Sequence, residues 1–475
     1  MLRHTKVLLA SVLFPLSLSA CTNGGEEDVG DEVTSNDATD DATTDATDDA
    51  TDDATDDATD DATDDATDDA TDTNPVDCAD PNDPAANVIA IQGDIDADET
   101  WTCDNIYVLA PDTLVFVNGA TLTIEPGVTV KGQAGSALVI EKDAMLMAEG
   151  TADAPIVMTS AQDTKAPGDW GGLVLIGSAV VNLAGGTGQA EGFPVPPSYG
   201  GNDAAHDCGS LAYLRVEYAG FAISEGNELN GITFYACGTG TSVHHVQSHM
   251  GSDDGIEMFG GSFDADHIIV SGANDDSIDM DQGFGGTLQH VFIHQDPGVG
   301  DNCFEVSNQG ADFTAEPLTS PTVCNATCVG SGEGGDKSKG ITIKEGTEGS
   351  WFATIITNVT SATAVLADED TFAVADAGGI EMVNNIFFGN LGADPFVSNA
   401  MSLDSAGFEA WVLDAANANL TSDPGLGSAA WGNPDPTPSG DVAGNGEGCG
   451  GTSYIGAVDP AGDNWTAESW TNYQP

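Results

Sequence analysis

The chain has little positive charge. Only 9 Lys and Arg stand against 78 Asp and Glu in 475 residues, a formal charge of −69. A nucleic-acid binder needs a basic patch against phosphate, so that class is excluded. Docking on anionic lipid by charge is equally disfavoured. After the N-terminus Arg215 is the sole arginine, which leaves a uronate lyase short of cations for substrate carboxylates. Lys337, Lys339 and Lys344 do cluster, but in a strongly acidic setting. No apolar run beyond the N-terminus reaches the length of a membrane span. No long stretch carries the 3.6-residue period of an amphipathic helix.

The first segment is an export signal. Arg3 and Lys6 precede an apolar run from Val7 to Leu18, too short for a spanning helix. Leu18-Ser19-Ala20-Cys21 then resembles the bacterial lipobox, which implies a signal peptide over 1–20 and lipidation of Cys21. Several acyl chains on one residue hold a protein firmly at a bilayer. Thr22, rather than Asp, follows, and by similarity to enterobacterial sorting this implies the outer membrane, with the protein exposed at the cell surface.

Residues 21–77 form a low-complexity tract in which Thr-Asp-Asp-Ala recurs, as at Thr51-Asp52-Asp53-Ala54. Its 23 acidic residues, with no Lys or Arg, cannot bury enough apolar surface to fold. Like charges extend it, so a disordered acidic linker acting as a stalk is expected.

Beyond it, short β-branched runs such as Leu114-Val115-Phe116-Val117 and Leu173-Val174-Leu175-Ile176 alternate with Gly, Asn and Asp. This is an all-β pattern. Internal repeats decide its architecture. His245 precedes Asp253-Asp254-Gly255-Ile256-Glu257-Met258, and 22 residues later His267 precedes Asp275-Asp276-Ser277-Ile278-Asp279-Met280. A looser third copy runs from His290 to Asp301-Asn302-Cys303-Phe304-Glu305-Val306. A period near 22 is one coil of a parallel β-helix. Ile256, Ile278 and Phe304 are then expected to stack inside, with Met258, Met280 and Val306 beside them. Gly379-Ile380-Glu381-Met382 echoes the motif and extends the solenoid to about residue 390.

The stretch Val115–Lys131, including Gly119-Ala120-Thr121-Leu122-Thr123-Ile124-Glu125-Pro126-Gly127, resembles the opening of a large family of bacterial secreted and lipoprotein β-helix proteins. The resemblance continues through Trp170-Gly171-Gly172-Leu173, Glu228-Leu229-Asn230-Gly231 and Tyr454-Ile455-Gly456-Ala457. It implies a right-handed parallel β-helix of pectate-lyase-like fold, in a family whose activity is unassigned. The expected organisation is a β-helix over 78–395 and a loop-rich capping region over 396–475 packed on it.

Eight cysteines remain after Cys21, an even number that in an exported chain implies disulfides. Proximity in sequence pairs Cys78 with Cys103 and Cys208 with Cys237. Cys303 pairs with Cys324 or Cys328, and Cys449 ties the tail to the body. A zinc site at Cys324-x-x-x-Cys328 is the rival reading.

If Ile256 and Met258 point inward, Glu257 points outward, with Asp279 and Glu305 above it about 4.8 Å apart. Asp253, Asp254, Asp275, Asp276, Asp281 and Asp301 crowd the adjoining turns. Carboxylates this close need a bound cation, hydrogen-bond donors or raised pKa values. A Ca²⁺-type cation suits nine such oxygen ligands. Turn-capping by Asp is the structural alternative. The catalytic alternative uses Asp254, Asp275, Asp276 or Asp279 on a glycosidic bond. Their spacing is loosely similar to that of pectin-hydrolysing β-helix enzymes, whose later Gly-His-Gly is absent here. Seven of the eight histidines fall between 206 and 294, and His245, His267 and His290 share a repeat position. Stacked rings are expected there, with transition-metal binding as the second reading. Trp411, Trp431, Trp465, Trp470 and Tyr473 are expected to plug the open end of the solenoid. The functional expectation is a surface binding or adhesion module with cation sites, engaging an extracellular glycan or another surface protein. A polysaccharide-active hydrolase or lyase and a purely structural envelope protein are the alternatives.

Overall fold

The computed structural model describes residues 78–224, 227–335, 337–444 and 449–475. The signal peptide, Cys21 and the acidic stalk expected over 1–77 lie outside the described residues. The rest is a parallel β-helix, as the repeats predict. Among the described residues, parallel strands build one ten-stranded and one sixteen-stranded sheet. The ten-stranded sheet runs from Leu114–Val117 through Ile232–Tyr235, Ile256–Phe259, Ile278–Asp281 and Asn302–Val306 to Phe396–Ser398.

Register follows the sequence repeat. Ile256 aligns with Ile278, Ile278 with Phe304, and Phe304 with Ile341. Met258, Met280, Val306 and Ile343 form the next inward row. All eight are buried in one continuous core. Each such side chain contributes roughly 1.5–3 kcal/mol of hydrophobic stabilisation, and no coil could bury its apolar row without its neighbours.

The sixteen-stranded sheet bends at a repeated backbone corner. Tyr213, His245, His267, His290, Asn325, Ala353 and Asn384 have φ of 46°, 54°, 57°, 51°, 51°, 52° and 60°. Left-handed backbone turns the strand without ending it, and His and Asn tolerate it better than branched residues do. The shared repeat position of the three histidines is therefore a corner position.

The cysteines pair as Cys78–Cys103, Cys208–Cys237, Cys303–Cys328 and Cys324–Cys449. Two expected pairs are present, Cys303 selects Cys328, and Cys449 ties down the tail. The zinc reading of Cys324 and Cys328 falls, because both sulfurs are in disulfides.

The tail differs from expectation. The strand Phe396–Ser398 still belongs to the ten-stranded sheet, beyond the boundary drawn at 395. The helix Ser405–Val412, N-capped by Asp404, packs Phe408 and Val412 into the core beside it, with Trp411 against Phe408. Trp465 and Trp470 do not plug that end. They lie with Ala457 and Val458 on Ile269, Phe292 and Val329, along the outer face of the sixteen-stranded sheet. That face carries the outward apolar side chains Ile269, Phe292 and Val329, which the tail covers, while Phe408 and Val412 already pack into the core at the end. Arg215 donates to the Trp470 carbonyl at 2.5 Å and Gln247 to the Asn472 carbonyl at 2.5 Å, fastening the strap.

Candidate functional site

The acidic ladder forms on the outward row of the ten-stranded sheet. Glu257 aligns with Asp279, and Asp279 with Glu305. Alternation of side chains along each strand, with Ile and Met inward, requires this. The carboxylates converge into four groups whose oxygens lie within 4.8 Å of one another. These are Asp253–Asp254–Asp275, Asp254–Glu257–Asp279, Asp275–Asp276–Asp301 and Asp276–Asp279–Glu305. Eight of the nine predicted ligands are thus brought together. Asp281 stands apart, accepting from the Gln282 amide at 2.6 Å.

The first rung of the ladder and two turn residues beside it are far less exposed than outward positions imply, while Asp279 and Glu305 are half-buried. Asp254, Glu257 and Asp276 are 8%, 7% and 6% exposed. The insertion between residues 177 and 208 covers the neighbouring surface, with Ala190, Phe193 and Tyr199 packed on Val174, Ile176, Tyr235 and Phe259. Glu191 on this insertion and Glu228 add charge that helps raise the Asp253 carboxyl. Sequence reasoning missed both. Glu191 lies outside the repeats and left no signal. Asn230-Gly231-Ile232, however, repeats Asp254-Gly255-Ile256, so one further coil was readable.

Two kinds of carboxylate result. Asp254 and Asp276 belong to a chain of side-chain-to-backbone bonds. The Asp254 amide donates to Asn230 Oδ1 at 3.2 Å, the Asp276 amide to Asp254 Oδ1 at 2.9 Å, and the Asn302 amide to Asp276 Oδ1 at 2.6 Å. Each residue ties its own turn to the next coil. Glu257, Asp279 and Glu305 form the second kind. Asn230 Nδ2 donates to Glu257, and Lys344 closes the far end against Glu305. Lys339 pairs with Asp301 at 2.5 Å. Asp279 sits between, and its Oδ1 is buried without a hydrogen-bond partner.

Burial, and then repulsion from neighbouring carboxylates, pushes Asp254, Glu257, Asp276 and Asp279 well above the usual carboxylate range. The same causes raise Asp253 to about 7. Burial raises Asp281 to about 7 as well. Such a cluster either shares protons or holds a cation. The donors are all oxygens, and one of them is buried and unpartnered at the centre, which fits a hard cation bound at about 2.3–2.6 Å. A general acid must instead meet substrate. Asp254 and Asp276 have each committed an oxygen to the backbone, Asp279 is enclosed between coils, and Asp275 alone of the four catalytic candidates is exposed.

A second feature lies on the other sheet. A cleft of about 690 Å³ is lined by Lys131, Lys165, Arg215, Glu217, Gln162 and Asn472 among others. It gathers three of the seven basic residues found after residue 77. Glu217 is fixed at its base by Arg215 at 2.5 Å, Asn472 at 2.8 Å and Thr159 at 2.8 Å. Burial opposes its ionisation, but the Arg215 charge and these donors hold the carboxyl below its ordinary value.

Stacked parallel coils, inward apolar rows and an outward polar ladder define a protein of the parallel β-helix class. The chain matches the family described as pectate-lyase like beta helix domain over residues 93–433, and it belongs to that family. No curated protein and no solved structure matches it.

Proposed function

We propose that this β-helix is a binding module displayed on a bacterial cell surface, with a Ca²⁺-type cation held by Glu257, Asp279 and Glu305 and their neighbours Asp254 and Asp276. One observation carries the cation reading: the buried, unpartnered Asp279 Oδ1 lies among oxygens that belong to two adjoining groups. A buried acceptor left unpaired costs about 1–3 kcal/mol, more if charged, so a ligand that satisfies it is favoured. Lipidation at Cys21 and the acidic stalk would hold the module away from an outer membrane. The polar cleft beside Lys131, Lys165 and Arg215 suits the hydroxyl and carboxylate groups of an extracellular glycan. On the acidic ladder, the backbone bonds that Asp254 and Asp276 accept favour a holding role for them over a hydrolytic one.

The test is thermal melting of the full chain at pH 7.5, with chelator and with Ca²⁺. Wild type should gain several degrees on adding Ca²⁺. Asp279→Asn should melt higher than wild type in chelator, because it removes a buried repelling charge, and should gain nothing from Ca²⁺. No Ca²⁺ response in wild type would remove the cation. Release of reducing sugar from a glycan panel, abolished by Asp275→Asn, would overturn the non-catalytic reading.

A further inference from the structure

On the sixteen-stranded sheet, away from the acidic ladder, the corner histidines meet a carboxylate. His245 and His267 stack at 4.3 Å with planes 6° apart, and His267 and His290 follow at 4.7 Å. Asp266 precedes the second corner and sits in register with His244 and Gln289. Its Oδ1 lies 3.1 Å from His267 Nδ1 and 2.6 Å from His290 Nδ1. All three donor atoms fall within 4.8 Å of one another.

The surroundings orient this trio. His290 Nε2 is 3.0 Å from the Tyr454 hydroxyl, and Tyr454 is itself held by Asn325 Nδ2 donating to its carbonyl at 3.1 Å. The Cys324–Cys449 disulfide anchors the same part of the tail. Trp465 and His267 pack nearly perpendicular, with ring centroids 4.8 Å apart. When His290 donates Nε2–H to the Tyr454 oxygen, its Nδ1 presents a lone pair to a carboxylate oxygen. His267 Nδ1 is buried and makes no hydrogen bond of good geometry. Two imidazole nitrogens and one carboxylate oxygen then stand together, and a proton or a metal between them would satisfy all three.

We propose that Asp266, His267 and His290 form a binding site for a divalent transition metal of the Zn²⁺ class, with Tyr454 orienting His290. Two imidazoles and one carboxylate suit Zn²⁺, Ni²⁺ or Cu²⁺ rather than Ca²⁺. Three protein ligands leave a further position open to water or to a group on a partner molecule. Tetrahedral bonds of about 2.0 Å place donor atoms about 3.3 Å apart, so Asp266 Oδ1 moves about 0.7 Å from His290 Nδ1 and about 0.2 Å from His267 Nδ1. Asp266 can make that movement because its side chain is 48% exposed. A metal-bound histidine usually donates its other ring N–H to an oxygen acceptor, and the Tyr454 hydroxyl takes that place for His290. The metal would join two coils of the solenoid and, through Tyr454, the strap that crosses them.

The test is isothermal titration of the chelator-treated full chain with Zn²⁺, in a large excess of Ca²⁺ so that the acidic ladder does not compete. One Zn²⁺ per chain is expected, with a Kd of about 1 µM or tighter, and Co²⁺ should give the intense visible absorption of a tetrahedral site. Asp266→Asn and His290→Gln should each weaken binding by more than about 10-fold, and Tyr454→Phe by about 10-fold. His206→Gln, remote from the trio, should leave it unchanged. Melting curves of each variant confirm that it is folded. No Zn²⁺ binding at about 100 µM, or full affinity retained in folded Asp266→Asn and His290→Gln, would overturn the proposal.

Discussion

Along the ten-stranded sheet the inward rows keep one character, while the outward row changes from apolar to acidic. Phe116, Val139, Val174, Thr233, Glu257, Asp279 and Glu305 occupy successive places in that outward row. The early half is covered by the insertion between 177 and 208. The later half carries the carboxylates, closed at its end by Lys344. The row beside it changes one coil later, with Ile176, Tyr235 and Phe259 followed by Asp281. The inward side chains therefore specify the solenoid in both halves, and the outward ones decide whether a coil receives a cover or a charge.

The comparison can be broken from the inside first. Phe304 lies fully buried under the acidic half and Phe234 under the covered half. Phe304→Ala and Phe234→Ala should each cost about 3–5 kcal/mol in denaturant unfolding. Equal costs are expected if the inward rows are indifferent to what lies outside. A much smaller cost at Phe304 would mean that the acidic half is held by its ladder instead.

Moving the boundary between the halves is the next test. Phe259 stacks on Tyr235 at 4.6 Å and aligns with Asp281. Phe259→Asp extends the acidic face by one coil beneath the insertion. It should cost about 2–4 kcal/mol, because a carboxylate is buried there without a partner. Unchanged stability would show that the insertion is not a fixed cover.

The smallest expected effect sharpens the acidic side. Asp281 is raised to about 7, so the folded state holds its proton more tightly than the unfolded chain does. Its contribution to stability is fully present below about pH 4 and is lost as pH rises through about 7. His245 and His294, lowered by burial to about 4, run oppositely: their contribution is lost as pH falls below about 6.5. The carboxylate is therefore read as a difference between variant and wild type. Asp281→Asn should match wild type in melting temperature at pH 4.5 and exceed it by about 2 °C or more at pH 8. An equal difference at both pH values would remove the raised pKa.

The solenoid was legible because its repeat is local. Ile256, Ile278 and the Glu257–Asp279 alignment follow from alternation within single strands and a 22-residue period. The local cysteine pairs were readable for the same reason. What was not legible depends on distant segments. Nothing in Glu257 announces that Glu191, from the insertion between 177 and 208, adds a further negative charge to its surroundings. Nothing near Trp470 announces Ile269 and Phe292 as its partners. The roles of Asp254 and Asp276 were also undivided in sequence. Both look like ligands alone until the amides of Asp276 and Asn302 are seen to take one oxygen from each, which leaves the other for a cation.

The C-terminal strap has a consequence for the order of folding. Residues 457–470 are synthesised long after residues 269–329, yet they complete the seam over Ile269, Phe292 and Val329. Until they arrive, the growing solenoid presents a greasy stripe to whatever surrounds it. Removing residues 457–470 would leave Ile269, Phe292 and Val329 open to water as a contiguous apolar stripe, the kind of surface that associates with whatever apolar partner it meets.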